Sequence, residues 1–422
     1  MMNAIAALRE AAERHFPSLV ELQRDLHAHP EYGFEETRTA ALVADRMRSL
    51  GLEVRTGVAG TGVVAKLKGR RSGGAVALRV DMDAFPIEEA DGLPWRSRTP
   101  GLAHVCGHDA HTTIGIGVAH VLAPLAEELP GTVEFIFQPA EERPLVDDEG
   151  ERPYWEGVHA VSAAELMIRE GVLDLPSLLA VYGLHLWPWL PVGKIGVEEG
   201  PAMGGVANFR ARVHGRSAHG ATPQEGVDAI ITMAQALCAM QTIVARQTVP
   251  GEPLVITVGT IRGGDRRNVI ADRVDITGTV RALSAALLNE IVPARLQAIF
   301  AGVTAAAGAS YELEYYPLIL PVMNDRELAR SARRAIAEAL GEEAVVPVLD
   351  RAMTSEDFAC FAQRVPGLYL KIGCNEPGAE MIPLHNRAFR FDPKAILMGT
   401  IAVSSAIMAR LQDQGREGWG ER

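Results

Sequence analysis

Short apolar runs alternate with segments of helical spacing over the first and last parts of the chain. The runs predicted to be buried strands are Gly62–Leu67, Ala75–Val80, Val133–Phe137, Leu178–Leu186 and Leu368–Ile372. The segments predicted to be helices are Met1–Phe16 with its continuation Leu19–Leu26, Thr37–Leu50, His111–Glu128, Ala163–Glu170 and Asp325–Leu340. Buried strands that alternate with helices indicate an α/β sheet covered on both faces.

The middle of the chain has a different pattern, in which strands alternate between apolar and polar positions. The predicted order is strand, helix, strand, strand, helix, strand, over Ala207–Val213, Gly226–Arg246, Leu254–Arg262, Arg273–Leu283, Ala286–Ala306 and Tyr311–Tyr316. This is the ferredoxin-like order. It predicts an inserted α+β domain at residues 200–315, within an α/β domain built from residues 1–199 and 316–422.

Composition and charge narrow the class of protein. The chain has 422 residues, of which 48% are hydrophobic, and a formal net charge of −12. Such a charge argues against nucleic acid or an anionic membrane as the main partner. Four cysteines are too few for a disulfide framework, and Cys238, Cys360 and Cys374 are predicted to be buried as small apolar residues. With no secretory signal and no long apolar run, we expect a cytoplasmic protein.

The segment His104–His111 holds one thiol, three imidazoles and a carboxylate. These are the side chains that bind zinc and its neighbours in the first transition row. A closed structural zinc site needs four protein ligands from paired motifs, and this segment alone does not supply them. Further ligands must therefore come from elsewhere in the chain.

Polar residues follow three of the predicted strands. Asp81 and Asp83 come after one, Glu141 and Glu142 after the next, and His185 lies near the end of a third. Because catalytic groups in open α/β sheets gather beyond the carboxyl ends of strands, we expect these side chains to share one rim with the His104–His111 segment.

Adjacent glutamates such as Glu141 and Glu142 cannot both point the same way. One can bind a metal ion while the other takes a proton from water and later delivers it to a leaving amine, which suits hydrolysis. The alternative is a charged pair that opens a surface loop beside Arg143.

Several segments in order along the chain resemble the dinuclear metalloamidohydrolases of the aminoacylase and carboxypeptidase G type. They are Leu78–Ala84, His104–Asp109, Gln138–Glu142 and Gly183–His185, within a resemblance that runs from Leu26 to Asn386. The chain is most similar to the branch of hippurate hydrolases, N-acyl-amino-acid amidohydrolases and plant auxin-conjugate hydrolases. The resemblance implies a metallopeptidase-type catalytic domain, with a mixed sheet flanked by helices, and an inserted ferredoxin-like lid and dimerisation domain.

The resemblance also implies a role for individual residues. The implied metal ligands are Cys106, His108, Glu142, His185 and His385. Glu141 is implied as the general base and acid, and Asp83 as the carboxylate that orients the metal cluster. Two divalent ions per subunit are expected, as zinc or manganese, with cobalt and nickel as further options.

The inserted domain carries three further expected site residues. The loop Gly215–Ala221 resembles the histidine loop of the same family, which implies that His219 reaches the active site of a partner subunit and stabilises the oxyanion. Asn268 and Arg281 would hold the substrate carboxylate, although Arg281 could instead be a solvent-facing strand residue. We expect a homodimer, with a tetramer as the alternative.

The predicted function is metal-dependent hydrolysis of the amide bond of N-acyl amino acids, with hippurate-like or N-acetyl substrates. The alternatives are a dipeptidase or carboxypeptidase-like enzyme and a binding protein without catalysis. The insert Arg143–Val161 follows the glutamate pair, and its Tyr154 or Trp155 is predicted to shape the acyl pocket. His27 and His29 are predicted to serve local packing, and His104 and His111 to support the ligands.

Overall fold

The structure is a computed structural model that describes residues 2–143, 161–348 and 352–413. The helices in these ranges are α1 (Met2–Ala28), α2 (Thr37–Ser49), α3 (His108–Leu122), α4 (Ala163–Arg169), α5 (Ala229–Thr242), α6 (Val292–Ala307), α7 (Arg326–Leu340), α8 (Ala359–Ala362) and α9 (Lys394–Asp413). The strands are β1 (Glu53–Val58), β2 (Gly62–Lys68), β3 (Arg71–Asp81), β4 (Pro130–Gln138), β5 (Leu178–Pro191), β6 (Ile195–Gly196), β7 (Gly200–Met203), β8 (Gly205–His214), β9 (Leu254–Gly263), β10 (Arg273–Ala282), β11 (Ser310–Ile319), β12 (Val322–Asn324), β13 (Val345–Val346) and β14 (Gly367–Asn375).

A mixed sheet of eight strands forms the centre of the larger part of the molecule. Its strand order is β1-β2-β4-β3-β5-β14-β6-β13. The strands β4, β3, β5 and β14 are parallel to one another, whereas β1 and β2 run antiparallel at one edge. The parallel strands are apolar on both faces, as expected for strands buried on both sides. The predicted α/β fold with helices on both faces is confirmed.

Helices cover both faces of this sheet. On one face, α1, α3, α7 and α9 pack in the largest core, where α3 is buried on all sides. On the other face, a second core gathers residues of α4, α8 and neighbouring strands. The helix α9 is long and apolar enough to span a membrane, but 72% of its most apolar window is buried among the other elements, as befits a core helix.

The segment between β7 and β12 folds around a sheet of its own. Its strand order is β11-β8-β10-β9, all antiparallel, and α5 and α6 pack on one face. This order, with a helix after the first and third strands, is the ferredoxin-like topology that the sequence pattern predicts. Side chains such as Phe209, Met233 and Phe300 form a core separate from that of the large sheet.

Three local predictions differ from the structure. The helix α3 begins at His108 rather than at His111, because its first turn is polar and lacks the apolar spacing that marks the rest. The strands β1, β6, β7, β12 and β13 have no predicted counterpart, since they are short or partly exposed. Cys238 is exposed on the outer side of α5, whereas Cys374 is buried as predicted. Tyr154 and Trp155 lie outside the described residues.

Candidate active site

The carboxyl ends of the central parallel strands meet at one level of the sheet. Asp81, the last residue of β3, pairs with Gln138, the last residue of β4. In the neighbouring pair, Leu78 is level with Tyr182, so His185 stands three residues further along at the level of Asp81. The polar residues predicted to share a rim therefore do so, because parallel register aligns these strand ends.

One group of potential metal donors consists of Cys106, His108 and His185. Their donor atoms lie within 4.8 Å of one another, and the Cys106 sulfur is 3.4 Å from Nε2 of His185. Gly107 separates two of these residues with a φ of 89°. A Cβ there would come within 3.0 Å of the Leu186 side chain, so a glycine lets the loop pass β5 closely and begin α3 at His108.

A second group consists of Cys106, Glu142 and His385. Nε2 of His385 is 3.3 Å from the Cys106 sulfur and 2.7 Å from a carboxylate oxygen of Glu142. His385 has a left-handed backbone, and its N–H donates to the Val105 carbonyl at 2.9 Å. Its ring stacks on Phe85. The five predicted ligand residues therefore converge in two groups that share Cys106.

Asp83 contacts residues of both groups. One of its oxygens is 3.0 Å from Nδ1 of His108, and the other accepts the backbone N–H of Glu142 at 3.0 Å. Nε2 of His108 is buried without a hydrogen-bond partner in the part of the chain that the structure describes, and it becomes a free acceptor once a metal ion displaces its proton. A buried imidazole nitrogen held in this way is a ready ligand.

His111, which is not among the predicted ligands, makes a hydrogen bond through each of its ring nitrogens. The Leu186 backbone N–H donates to its Nε2 at 2.8 Å, so Nδ1 carries the proton and donates to Asp81 at 2.7 Å. The ring packs against His185, whose Nδ1 donates to the Leu186 carbonyl at 2.7 Å. That bond leaves Nε2 of His185 free to face Cys106, and His111 packs against the ring of this predicted ligand.

The electrostatics of this region favour bound cations. Burial, together with Glu142 and Glu141, raises the pKa of the Cys106 thiol well above its usual value. Burial opposes protonation of His108, but Asp81 and Asp83 outweigh it and raise its pKa to about 10. Because carboxylates contribute to both pKa shifts, the site holds negative charge that divalent ions would neutralise. The donor set and the unpartnered His108 nitrogen therefore fit metal ions.

Glu141 occupies a different position from its neighbour Glu142. One of its oxygens lies 3.5 Å from the backbone nitrogen of Asp357. Burial and the nearby Glu356 and Glu142 raise the pKa of Glu141 well above its usual value. A carboxylate with a raised pKa can both accept and return a proton near neutral pH.

Four buried charged residues around the glutamate pair were not anticipated from the sequence. Arg79 is fully buried and contacts Asp81, Glu356 and Asp357 at 2.9, 3.0 and 2.7 Å. Glu36 is also fully buried and accepts the Ala140 N–H at 2.8 Å. Arg79 lies within the segment Leu78–Ala84 that carries the resemblance, and a charged residue inside an apolar strand was a usable signal. Glu36 and the Glu356–Asp357 pair are remote in sequence from the glutamate pair and carry no such signal.

The three predicted residues of the small domain do not join this cluster within one chain. His219 lies in an exposed loop, where its Nδ1 accepts the Ala221 N–H at 3.1 Å and Gly220 bonds the Asn268 carbonyl at 2.9 Å. His219 and Asn268 are therefore neighbours. Arg281, on β10, is half-buried and donates to the Met353 carbonyl at 3.4 Å, so it faces the larger domain rather than solvent.

Comparisons with known proteins agree with this geometry. Residues 77–409 match the model of peptidase family M20/M25/M40. An N-acetylcysteine deacetylase of Bacillus subtilis is 33% identical over 90% of this chain and 94% of its own length. An N-acyl-L-amino acid amidohydrolase of Geobacillus stearothermophilus is 38% identical over 72% of this chain and 78% of its own length.

A crystal structure from Bacillus subtilis, described as a dinuclear metal-binding peptidase of family M20, superposes with a TM-score of 0.80. It is 31% identical and aligns over 95% of this chain and 99% of that chain. The chain belongs to peptidase family M20/M25/M40. Membership confirms the predicted family and the predicted class of enzyme, a metal-dependent hydrolase of amide bonds, and the names of the relatives agree with the predicted action on N-acyl amino acids.

Proposed function

We propose that this protein hydrolyses N-acyl amino acids at the amide bond, giving a carboxylic acid and a free amino acid. The observation that carries the proposal is the position of Glu141, a carboxylate of raised pKa directly beside a group of five metal-donor residues. A protein that only binds its ligand has no need of such a base. The relatives named for acetylcysteine and N-acyl amino acids support this substrate class over dipeptides.

Cys106, His108, Glu142, His185 and His385 would hold two divalent ions per subunit. Zinc or manganese suits this mixture of thiolate, imidazole and carboxylate, with cobalt and nickel as substitutes. When bound, the metal supplies Lewis acidity for the carbonyl group and lowers the pKa of water. Asp83 would keep His108 and Glu142 oriented through the two contacts described above.

The reaction then depends on proton transfers by Glu141. Glu141 takes a proton from the attacking water as oxygen bonds to the amide carbon. It returns that proton to the amide nitrogen as the carbon–nitrogen bond breaks, so the amino acid leaves with a neutral amine and the base is regenerated.

Residues of the small domain would bind the rest of the substrate. We assign residues 200–315 to a lid and dimerisation domain, and residues 1–199 and 316–422 to the catalytic domain. The separate core of the small domain supports this division. Arg281 would bind the substrate carboxylate with Asn268, since a guanidinium suits a carboxylate. His219 would come from the partner subunit to stabilise the oxyanion.

A homodimer would form through the edge strand β9 and the adjacent helix α5. In the four-stranded sheet, β9 pairs with β10 on one side only. Ile231 on α5 and Ile261 on β9 are each 57% exposed, and Ile230 and Val249 are exposed nearby. Unpaired strand edges and grouped apolar side chains both favour association, and a two-fold axis would let β9 pair with its own copy.

All four cysteines are free, which supports a reducing, cytoplasmic setting.

Replacing Glu141 by glutamine tests the proposed chemistry. We expect Glu141→Gln to retain its metal and to lose about 10²- to 10⁴-fold in kcat, because the amide cannot carry the proton. The measurement is steady-state hydrolysis of N-acetyl and N-benzoyl amino acids, with dipeptides in parallel, after reconstitution with zinc, manganese or cobalt. Glu128→Gln, at an exposed glutamate, is the matched control.

Near-normal kcat in Glu141→Gln would show that the assigned base is wrong. Faster turnover of dipeptides than of acyl amino acids would favour the carboxypeptidase-like alternative. Absence of hydrolysis with every metal would favour a binding protein.

A further inference from the structure

The turn that carries the glutamate pair contains an unusual backbone conformation. Ala140, directly before Glu141, has a φ of 49° although it is not a glycine. Left-handed backbone costs an alanine about 1–2 kcal/mol, so other contacts must hold it. Ala140 is buried, and a Cβ added to Gly33 would lie 2.9 Å from the Cβ of Ala140. The turn is therefore packed against the segment that follows α1.

Glu36 supplies the contact that this conformation requires. One of its oxygens accepts the Ala140 N–H at 2.8 Å, and the other accepts the Thr61 hydroxyl. Glu36 is fully buried, and no cation contacts it among the residues that the structure describes. Burying a carboxyl group without a cation is unfavourable, and here it satisfies one backbone N–H at the residue before the proposed base.

The turn is held from its other side by Asp357. Gln138 donates to both oxygens of the Asp357 carboxylate, at 2.9 and 2.8 Å, and Arg79 donates to the same carboxylate at 2.7 Å. The backbone nitrogen of Asp357 lies near Glu141. The two ends of the turn thus have separate supports, and Glu36 is the support at the strained residue.

We propose that Glu36 is a positioning residue that holds Ala140, within the turn Gln138–Glu142, in its left-handed backbone conformation. By doing so it would direct Glu141 towards the reacting atoms while Glu142 faces the donor cluster. The proposal rests on the proposed function for its kinetic consequence, but the conformation of the turn can be measured without turnover. The required feature of Glu36 is an acceptor oxygen for the Ala140 N–H, which a glutamine also offers.

The test compares Glu36→Ala with Glu36→Gln. In Glu36→Ala we expect kcat to fall about 10- to 100-fold with KM changed less than about 3-fold, since small displacements of a reacting group have effects of this size. Glu36→Gln should stay within about 3-fold of the natural protein in kcat, because its side-chain oxygen can still accept the same hydrogen bond. A role in stability alone would lower the melting temperature without this split between kcat and KM.

A second substitution tests the left-handed backbone directly. Glycine adopts a positive φ without the penalty that alanine carries. Adding Ala140→Gly to Glu36→Ala should therefore recover about 3- to 10-fold of the lost kcat, as expected if about 1 kcal/mol of conformational preference is returned. Should Glu36→Ala fail to fold, Thr61→Val removes the hydroxyl that orients Glu36 and should produce a smaller loss of the same kind.

Two readouts do not depend on turnover. Hydrogen exchange of the peptide that covers residues 138–142 should accelerate in Glu36→Ala and not in Glu36→Gln. The absorption spectrum of the cobalt-loaded protein should change in the same variant, because Glu142 belongs to the same turn. These readouts remain informative if no acyl amino acid is hydrolysed, so failure of the proposed function is distinguishable. Equal impairment in both Glu36 variants, or unchanged exchange and kcat in Glu36→Ala, would overturn the proposal.

Discussion

His27 and His104 are both almost fully buried, yet their neighbours give them different charges. Burial opposes protonation of His27, but hydrogen bonds to Asp109 and Glu89, at 2.8 and 2.9 Å, raise its pKa to about 10. Burial lowers the pKa of His104 to about 4, and neither ring nitrogen has a hydrogen-bond partner among the described residues. The charged His27 thus holds Asp109 at the start of α3, while His104 fills space as a neutral ring.

The raised pKa of His27 predicts a dependence of stability on pH. A group whose pKa is higher in the folded state stabilises the fold fully below its unfolded pKa, near 6.5, and loses that contribution as pH rises to about 10. His27→Gln should therefore be most destabilising near pH 6. The difference in unfolding free energy from the natural protein should shrink by about 3–5 kcal/mol towards pH 10, at about 1.4 kcal/mol per pH unit.

Thermal unfolding of the metal-free protein at several pH values would measure this difference. Gln224→Ala, at an exposed loop position, serves as the control. A penalty for His27→Gln that stays constant from pH 6 to pH 10 would mean that His27 is neutral in the fold.

At the residue level, Glu142 and His185 could be placed from the sequence because each lies at the end of an apolar run that becomes a strand of the sheet. Cys106 and His108 were indicated by the thiol and imidazole side chains gathered in one short segment, and His385 came from the resemblance alone. Glu36 and Asp357 could not be found in this way, because their value depends on the Ala140 N–H and on Arg79, contacts that only the folded chain creates.

Among the elements, the strands of the small domain were predictable because their apolar and polar positions alternate, and each core-facing residue is buried in turn, as in β10. The short strands β6 and β13 were not predictable, since a strand of two residues is too short to show a hydrophobic periodicity. The same limit applies to the start of α3, where polar residues replace the apolar stripe.

The exposed edge of the small domain leads to a prediction about assembly. Ile231→Glu together with Ile261→Glu should convert the proposed dimer to a monomer, because like charges would be buried in an apolar contact without partners. Light scattering coupled to size-exclusion chromatography measures the mass directly. Met323→Glu, at an exposed apolar residue of β12 in another sheet, is the matched control and should leave the mass unchanged.

The monomeric variant also tests the link between assembly and turnover. Since His219 would come from the partner, monomers should bind metal normally yet lose most of their kcat. A fully active monomer would separate dimerisation from catalysis, and an unchanged mass would place the interface elsewhere on the molecule.

On the scale of the whole molecule, the proposed active site needs two copies of the chain. Glu141 and the donor cluster lie at the edge of the large sheet, whereas His219 lies in an exposed loop of the small domain, where its Nδ1 accepts the Ala221 N–H. Glu141→Gln and His219→Ala should each inactivate the proposed homodimer. A heterodimer of the two variants would contain one complete site, formed by Glu141 of the His219→Ala chain and His219 of the Glu141→Gln chain.

Co-expression of the two variants with different affinity tags would give this heterodimer, and activity per dimer is the measurement. The purified heterodimer should regain about half of the natural activity, and an equal random mixture about a quarter, because half of its dimers then hold one working site each. If His219 instead served its own chain, each site would lack one residue and no activity would return. Recovery of activity therefore requires His219 to act in the active site of the partner subunit. The control heterodimer pairs the His219→Ala chain with a Glu128→Gln chain. It also contains one complete site, so its activity gives the value expected for one working site per dimer.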